Sequence, residues 1–314
     1  MTIDKKFINI FHDVSINAAH ASYNLVGKKD KKNADKVAVD SMRKDLNKID
    51  MKGKVVIGEG ELDEAPMLYI GEELGTLKGP ELDIAVDPLE GTNFAANNLP
   101  GALSVIAVAE KSNLFHAPET YMDKIAINGS DKSIVDLDFT IKKNIENLAD
   151  YKNKIPGDLT ACLLDRPRHK KIIDELKLLG VKIKLISDGD IAGALLVTQD
   201  KYNVDIFLGI GGGPEGVLAA SALDTFGCFF QSRFLFDTDN DKDRAKKMGI
   251  KDFKRKYELD EIVTGDSIFC ATGVTSGEIV EGIKIKDNIL ESETLITHKS
   301  SNLKKIFKAE KQIK

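Results

Sequence analysis

The stretch Asp87-Pro88-Leu89-Glu90-Gly91-Thr92 follows the largely apolar run Leu82–Val86. That run has the length and composition of a strand. The proline after it fixes one φ angle, and the glycine permits a backbone conformation closed to other residues. The turn can therefore aim Asp87 and Glu90 at one point, and its last residue opens a helix. Acidic side chains at the carboxyl end of a strand predict a ligand site at that edge of an α/β sheet.

A second acidic stretch, Gly58-Glu59-Gly60-Glu61-Leu62-Asp63-Glu64, follows the predicted strand Lys54–Ile57. Its four carboxylates repel one another unless a positive charge compensates them. Hard divalent cations such as Mg²⁺ and Mn²⁺ take carboxylate oxygens as ligands. Two acidic turns so close in sequence favour a metal site over a pair of ordinary helix caps.

Short apolar strands alternate with helices along most of the chain, which is typical of layered α/β architecture. The predicted helices are Phe7–Val26, Ala34–Ile49, Ala65–Leu74, His169–Leu179 and Val217–Phe226. The remaining predicted strands are Leu103–Ala109, Ile125–Ile127, Leu159–Leu164, Val181–Ile186, Asp205–Leu208, Ile268–Ala271, Ile279–Ile285 and Thr294–Thr297. A polar stretch with Pro156-Gly157 predicts a boundary between residues 1–157 and 158–314. The C-terminal lysines, Lys304 to Lys314, are predicted to form a solvated tail.

Composition and charge exclude several classes of protein. The 314 residues carry a net charge of −5, which gives no support for a nucleic-acid surface. The three cysteines form no CxxC pair and predict buried thiols in a reducing compartment. No apolar stretch is long enough to span a bilayer, and the N-terminus lacks the apolar core of a signal peptide. We therefore expect a cytoplasmic protein without membrane or nucleic-acid partners, and a homo-oligomer, either a dimer or a tetramer.

Several motifs, in order between about residues 35 and 275, make the chain resemble the class II fructose-1,6-bisphosphatases of the GlpX type. The stretch Asp87–Thr92 is similar to the D-P-[IL]-[DE]-G-T signature of the lithium-sensitive, metal-dependent sugar and inositol phosphatase superfamily. The motifs typical of the class II family are Ile57–Gly71, His116–Lys124, Arg166–His169, Asp188–Asp190 and Gly211–Gly216. The resemblance implies an α-β-α-β-α sandwich of the sugar-phosphatase type. The segment Asn93–Asn98 departs from the family pattern, and Gly213 stands where alanine is common.

The resemblance also implies roles for individual residues. Asp63 and Thr92 are expected to position or activate the attacking water. The implied metal ligands are Asp35, Glu59, Asp87, Glu90 and Glu215, which are expected to bind Mn²⁺, with Mg²⁺ as the alternative. The residues implied to hold the sugar phosphate are Lys31, Glu90, Gly91, Thr92, Tyr121, Arg166, Pro167, Arg168, Asp188, Gly189, Asp190 and Gly212.

The function implied by the resemblance is hydrolysis of fructose 1,6-bisphosphate to fructose 6-phosphate and phosphate in gluconeogenesis. Sedoheptulose 1,7-bisphosphate stays open as a second substrate. One alternative is a phosphatase for another monoester, such as an inositol phosphate. Arg166 and Arg168 favour a bisphosphate over that alternative, because the acidic stretch from residue 57 to 92 contains no arginine for a second, retained phosphate. Another alternative, a non-catalytic sugar-phosphate sensor, is disfavoured because every implied ligand and both water-positioning residues are present.

The stretch Gly211–Gly216 also matches G-x-G-x-x-G, and Asp237 follows about twenty residues later, as in a dinucleotide-binding fingerprint. Glu215, however, would lie at the helix N-terminus where the pyrophosphate must bind, and the two negative groups repel each other. Pro214 also removes a backbone donor. The dinucleotide interpretation is therefore rejected. For His169, beside two arginines, contact with phosphate and a capping or surface role both stay open.

Overall fold

The computed structural model describes residues 2–60 and 67–313. The chain divides into two compact units, Met1–His116 with Val263–Lys314 (unit 1) and Ala117–Ile262 (unit 2). Each unit is built around a sheet of its own. The chain therefore leaves unit 1 once, completes unit 2, and returns to finish the sheet of unit 1.

Unit 1 combines a mixed sheet with helices. Its helices are α1 (Lys6–Tyr23), α2 (Lys31–Leu46) and α3 (Thr92–Ala96). Its strands are β1 (Lys52–Ile57), β2 (Glu73–Leu74), β3 (Glu81–Glu90), β4 (Leu103–Glu110), β11 (Ser267–Gly273), β12 (Lys284–Lys286), β13 (Ile289–His298) and β14 (Leu303–Gln312). The strand order is β12-β13-β11-β4-β3-β1-β2, with β14 paired to β13. Strands β1 and β3 are parallel, and β4 and β11 continue the sheet in antiparallel pairing.

Apolar residues at helical spacing explain why α1 and α2 pack on this sheet. Phe7 and Phe11 of α1 and Met42 of α2 are buried in one cluster with the strand residues Ile84 and Val108. Complete burial of a side chain of this size contributes about 1.5–3 kcal/mol. These contacts hold α2, and with it Asp35, against the sheet.

Unit 2 has a second mixed sheet. Its helices are α4 (Ile141–Lys152), α5 (Lys170–Leu178), α6 (Asp190–Leu195), α7 (Gly213–Phe226), α8 (Asp239–Lys247) and α9 (Leu259–Ile262). Its strands are β5 (Tyr121–Ile127), β6 (Thr160–Leu164), β7 (Lys182–Ile186), β8 (Ile206–Gly212), β9 (Phe229–Leu235) and β10 (Lys256–Glu258). The order is β10-β9-β5-β8-β6-β7. Strands β6, β7 and β8 are parallel, whereas β5 is antiparallel to β8.

The alternation of side chains along the strands explains why helices cover both faces of this sheet. Ile125 and Ile127 of β5 share a buried cluster with Ile145 of α4 and Leu176 of α5. On the opposite face, a side chain at Gly216 of α7 would meet Met122, so that helix packs directly on β5. Unit 1 thus has helices on a sheet and unit 2 has a sheet between helices, which confirms the layered α/β class.

The predicted boundary at residue 157 differs from the division that the structure makes. The polar stretch with Pro156-Gly157 lies inside unit 2, where a 3₁₀ turn at Pro156–Asp158 joins α4 to β6. A proline and a glycine mark a break in secondary structure, and here the break is a loop within one unit.

The predicted helix Ala65–Leu74 is wrong over the residues that the structure describes. Leu68 and Gly71 have φ angles of 54° and 97°, and a right-handed helix cannot contain them. The backbone N–H of Ile70 donates to the Gly60 carbonyl at 2.9 Å, and that of Gly71 donates to the Val55 carbonyl at 2.8 Å. The segment therefore satisfies its backbone against the end of β1 and finishes in the short strand β2.

Two predictions near the C-terminus also need correction. Of the predicted strand Ile279–Ile285, only the end is in β12, because the preceding residues fold back through a hydrogen bond of 2.9 Å from Gly277 N–H to the Val280 carbonyl. The lysine-rich end is strand β14 rather than a tail, and it pairs with β13 along its whole length. Phe307 of β14 packs against the core cluster of unit 1. In the described ranges, no helix is both long and apolar enough to cross a bilayer.

Candidate functional site

A β-bulge places Asp87 and Glu90 on one face of the sheet of unit 1. In β3, Asp87 pairs with Val105 and Glu90 pairs with Leu103, so three steps along β3 match two steps along β4. Residues three apart in a regular strand point to opposite faces, whereas residues two apart share a face. The extra residue at Pro88–Leu89 thus turns both carboxylates to the same side, as bulges commonly do beside functional sites.

Glu59 lies at the same end of the sheet. The parallel pairing of β1 with β3 ends with Ile57 opposite Ala85, two residues before Glu59 and two before Asp87. The N–H of Glu59 donates to the Leu68 carbonyl at 3.0 Å. A Cβ at Gly58 would come within 1.9 Å of that carbonyl oxygen, so only glycine allows this close approach. The strand end is therefore fixed by backbone contacts.

Asp35 comes from the second turn of α2. Its neighbour Ala34 belongs to the same buried cluster as Leu89 of β3 and Ala95 of α3. The loop before α2 is also tied to α3, because Gly27 N–H donates to the Ala95 carbonyl at 2.9 Å. Partial burial raises the pKa of the Asp35 carboxyl above its ordinary range. A cation bound nearby would therefore stabilise the charged form of Asp35.

The turn after β3 positions Thr92 at the start of α3. Gly91 caps that helix with a φ of 74° in the left-handed region, and a Cβ there would come within 2.8 Å of the Phe94 ring. Thr92 is the first helical residue, as the sequence predicted, and it is partly exposed. Lys31, the first residue of α2, is exposed. Asp63 lies outside the described residues.

The donor set of unit 1 is chemically suited to a hard divalent cation. The implied ligands Asp35, Glu59, Asp87 and Glu90 offer only carboxylate oxygens, which Mg²⁺ and Mn²⁺ prefer over nitrogen and sulfur donors. Over residues 2–60 and 67–313, however, no three His, Cys, Asp or Glu side chains converge closely enough to form a complete metal cage. The fit therefore lies in the chemistry of the donors and in the shared face of Asp87 and Glu90.

In unit 2, the predicted ligand residues collect at one edge of the sheet. The carboxyl ends of parallel strands meet at the same edge, where α/β folds bind ligands. Arg166 and Arg168 follow β6, Asp188 follows β7, and Gly212 ends β8. Tyr121 begins the antiparallel strand β5 directly opposite Gly212. The topology therefore brings together residues from four strands.

Arg168 is held in place by the main chain and by an aromatic ring. Its Nε and Nη2 atoms both donate to the Ile210 carbonyl oxygen, at 3.0 and 2.9 Å. Its guanidinium carbon lies 4.7 Å from the centre of the Tyr121 ring, a cation–π distance. Tyr121 is 47% exposed, so it is a surface platform rather than a core residue. The guanidinium is thus oriented without any ligand.

His169 is buried beneath this arrangement. Its Nδ1 lies 2.6 Å from the Leu164 carbonyl oxygen, and the N–H of Ile210 donates to its Nε2 at 2.7 Å. This pattern assigns a neutral ring with its proton on Nδ1. Burial lowers the pKa of His169, and the charge of Arg168 adds to that effect. Of the roles left open by the sequence, a surface position is wrong, since His169 is buried, and although His169 is the N-cap residue of α5, its side chain makes no capping hydrogen bond.

Arg166 binds the loop after β7. Its Nη1 donates to the Ser187 carbonyl at 2.6 Å, and its Nη2 lies 3.6 Å from Oδ1 of Asp188. Pro167 begins a 3₁₀ turn at Pro167–His169, which has Arg166 as its N-cap residue and contains Arg168. The sequence placed this pair between a strand and a helix, and the structure confirms that position.

Asp190 and Glu215 pack against the two glycines at the end of β8. A Cβ at Gly211 would lie 2.2 Å from the Asp190 carboxylate, and one at Gly212 would lie 1.8 Å from that of Glu215. Burial raises the pKa of Glu215; the charges of Asp190 and Asp188 raise it further, whereas Lys124 opposes the shift. The glycines are therefore required because carboxylates occupy the space of a side chain.

The start of α7 agrees with the rejection of a dinucleotide site. Glu215 lies in the first turn of α7, and Pro214 occupies one of its first two positions. A pyrophosphate at this N-terminus would meet a carboxylate and would lack one backbone donor. The glycine Gly213, where the family pattern favours alanine, leaves a Cβ position 2.9 Å from the Phe234 ring.

A family model described as bacterial fructose-1,6-bisphosphatase, glpX-encoded, matches residues 6–311. The chain belongs to this family. The match covers both units, including the two sheet edges described above. The predicted family membership is thereby confirmed.

Curated relatives of the family are similar over most of their length. A protein of Synechococcus sp. (strain JA-3-3Ab) is 38% identical over 92% of this chain and 90% of its own length. One of Synechococcus sp. (strain CC9311) is 39% identical over 96% of this chain and 94% of its own length. Both are named D-fructose 1,6-bisphosphatase class 2/sedoheptulose 1,7-bisphosphatase. Among solved structures, inositol monophosphatase from Anabaena (Nostoc) sp. PCC 7120 is 13% identical, with a TM-score of 0.34 over 62% of this chain and 71% of that one.

Lys124 and the buried His169 lie at the ends of the family motifs His116–Lys124 and Arg166–His169, but neither was among the predicted site residues. Lys124 had one sequence signal, since it interrupts an apolar strand at a position facing the same side as Met122. His169 had only its place after the two arginines. The roles of the predicted ligand residues stay predictions, in unit 1 and in unit 2 alike.

Proposed function

We propose that this member of the glpX family hydrolyses fructose 1,6-bisphosphate to fructose 6-phosphate and inorganic phosphate. The observation that carries the proposal is the guanidinium of Arg168, held over Tyr121 at the sheet edge of unit 2. Its contacts with the Ile210 carbonyl oxygen use the N–H of Nε and one N–H of Nη2. A guanidinium has five N–H donors, so others stay available for the oxygens of a retained phosphate.

The sugar is expected to contact the same edge. Asp188 and Asp190 are hydrogen-bond acceptors suited to sugar hydroxyl groups, and each has a cation nearby, Arg166 at 3.6 Å and Lys124 in direct contact. Without these cations, two carboxylates would repel a phosphorylated ligand. The paired charges fit a ligand that carries both hydroxyl and phosphate groups.

The cleaved phosphate is assigned to the carboxylates. Asp35, Glu59, Asp87 and Glu90 would hold Mn²⁺, with Mg²⁺ as the alternative, and Glu215 is the further predicted ligand. Such a cation, when bound, neutralises phosphoryl oxygens and lowers the pKa of a coordinated water. Thr92, at the first turn of α3, would orient the attacking water with its hydroxyl, and Asp63 would accept the proton from that water.

Sedoheptulose 1,7-bisphosphate is proposed as a second substrate, because the curated relatives carry both activities in their names. That sugar also has two terminal phosphates, so the metal would again bind the cleaved phosphate and the arginine the retained one. A role in gluconeogenesis, a cytoplasmic location and a dimeric or tetrameric assembly complete the proposal.

The test is a phosphate-release assay on protein freed of metal and then supplied with Mn²⁺ or Mg²⁺. The panel contains fructose 1,6-bisphosphate, sedoheptulose 1,7-bisphosphate, fructose 1-phosphate and inositol 1-phosphate. We expect the two bisphosphates to give the highest kcat/KM. A preference for inositol 1-phosphate or fructose 1-phosphate would overturn the proposal in favour of a general monophosphatase.

A further inference from the structure

A lysine ammonium is buried beneath the sheet edge of unit 2. Lys124 of β5 is 1% exposed, which is rare for lysine unless its charge is compensated. Its Nζ contacts Oδ2 of Asp190 and donates to the Gly212 carbonyl at 2.6 Å. Gly216 of α7 lies beside its stem, since a Cβ there would lie 3.4 Å from Cδ of Lys124.

The two partners of Lys124 come from different strand ends. Asp190 opens α6, after the left-handed residue Gly189 with a φ of 84°. Gly212 ends β8 and precedes the first turn of α7. One ammonium therefore joins the loops after β7 and β8, which carry residues assigned to the sugar phosphate. We propose that Lys124 is a positioning residue that fixes the Asp190 carboxylate and the Gly212 peptide for binding of a sugar phosphate.

The inference rests on the proposed function and adds a residue to it. Because the ammonium is covered by β5 and α7, it acts through Asp190 and Gly212 rather than by touching the ligand. Loss of the cation would leave the Asp190 carboxylate beside Glu215 with no opposing charge. Two nearby carboxylates repel each other, so Asp190 would turn away. It would then no longer accept a hydrogen bond from a sugar hydroxyl in the original geometry.

The experiment compares Lys124→Met with the matched control Lys142→Met, which removes an exposed lysine of α4. The readouts are KM and kcat for fructose 1,6-bisphosphate and the calorimetric Kd for fructose 6-phosphate in the presence of Mn²⁺. We expect Lys124→Met to raise KM and Kd about ten-fold, because the charge-assisted contact is lost, while the control stays at wild-type values. A merely structural role would lower the active fraction and therefore kcat, with KM and Kd unchanged, and would overturn the inference.

A double-mutant cycle decides whether Lys124 acts through its partner. In an Asp190→Asn background, the effect of Lys124→Met on Kd is expected to fall well below ten-fold, because only the Gly212 peptide is then left for the ammonium to position. A full ten-fold loss in that background would refute positioning through Asp190. If Lys124→Met alone is insoluble, Lys124→Arg keeps the charge but moves its donors, and it must weaken binding more in the wild-type background than in the Asp190→Asn background.

The wild-type protein separates this inference from the proposed function. If it does not hydrolyse fructose 1,6-bisphosphate, the proposed function fails, whatever the variants do. If it hydrolyses the bisphosphate and Lys124→Met keeps wild-type KM and Kd, only the role of Lys124 fails.

Discussion

Replacing Arg168 by alanine tests whether unit 2 holds the retained phosphate of a bisphosphate. The change removes a guanidinium whose position is already fixed by the Ile210 carbonyl and the Tyr121 ring. Because the side chain is oriented in the absence of ligand, little conformational entropy is lost when a phosphate binds. The guanidinium is partly solvent-accessible, so its removal leaves no buried cavity, and we expect stability to change little.

The size of the effect follows from these contacts. A hydrogen bond to a charged group contributes about 1.5–3 kcal/mol, which corresponds to a factor of roughly 10–150 in affinity. KM for fructose 1,6-bisphosphate should therefore rise at least about ten-fold in Arg168→Ala. The ring contributes less, since an exposed cation–π contact contributes about 0.5–1 kcal/mol. Tyr121→Ala should accordingly raise KM only by about two- to five-fold.

The assay measures KM and kcat for fructose 1,6-bisphosphate and for a small monophosphate that has no second phosphate. The matched control is Lys170→Ala, which removes an exposed cation two residues away at the start of α5. We expect Arg168→Ala to affect only the bisphosphate and the control to affect neither. Equal losses on both substrates would refute the assignment. The arginine would then bind the cleaved phosphate, or act only through the overall electrostatic potential of the protein.

Three further predictions concern the metal, the water and the buried histidine. Mn²⁺ at about 100 times its Kd should stabilise the folded protein by about 2.7 kcal/mol, and an unchanged Tm after chelator treatment would contradict the carboxylate site. Asp63→Asn should lower kcat by about 10²–10⁴-fold with little change in KM, whereas loss of bound metal in elemental analysis would contradict a base role. Burial lowers the pKa of His169, so the unfolded chain takes up its proton first, at about pH 6.5, and the folded protein loses stability as the pH falls below that value. The free energy of unfolding of His169→Gln should depend less on pH between 6.5 and 5 in urea titrations, and equal slopes would argue against a neutral His169 in the fold.

Much of the fold could be predicted because the apolar periodicity of these elements agrees with their packing. The helix predicted from Phe7 and the strand predicted from Leu82 both lie in the core of unit 1. The segment from Met67 to Leu74 could not be predicted in the same way. Its apolar spacing suggests a helix, but Arg43 pairs with Glu72 at 2.6 Å, and the Glu72 carboxylate accepts from Leu68 N–H. Tertiary contacts of this kind override local propensity.

The sequence predicted the residues of the candidate site, but not the buried residues that hold them in place. Short motifs identify Asp87, Glu90 and Arg168, because an acidic turn or an arginine pair at the end of a strand is typical of a ligand site. Lys124 and His169 are buried and bind the main chain of β8. The sequence does not show directly whether a polar side chain in an apolar strand or turn is buried. The C-terminal strand was missed for a related reason, since its many lysines hide the apolar side chains that pack on unit 1.

The bulge at Pro88–Leu89 makes the pairing of this turn as important as its chemistry. Substitutions there change one side chain at a time, but regular pairing of the same six residues, without the bulge, would leave Asp87 and Glu90 three apart in a regular strand and send Glu90 to the opposite face of the sheet. The motif can therefore be transferred to another scaffold only together with the residues that pair with Asp87 and Glu90 on the neighbouring strand. The transferable unit is a pair of strands rather than a six-residue sequence.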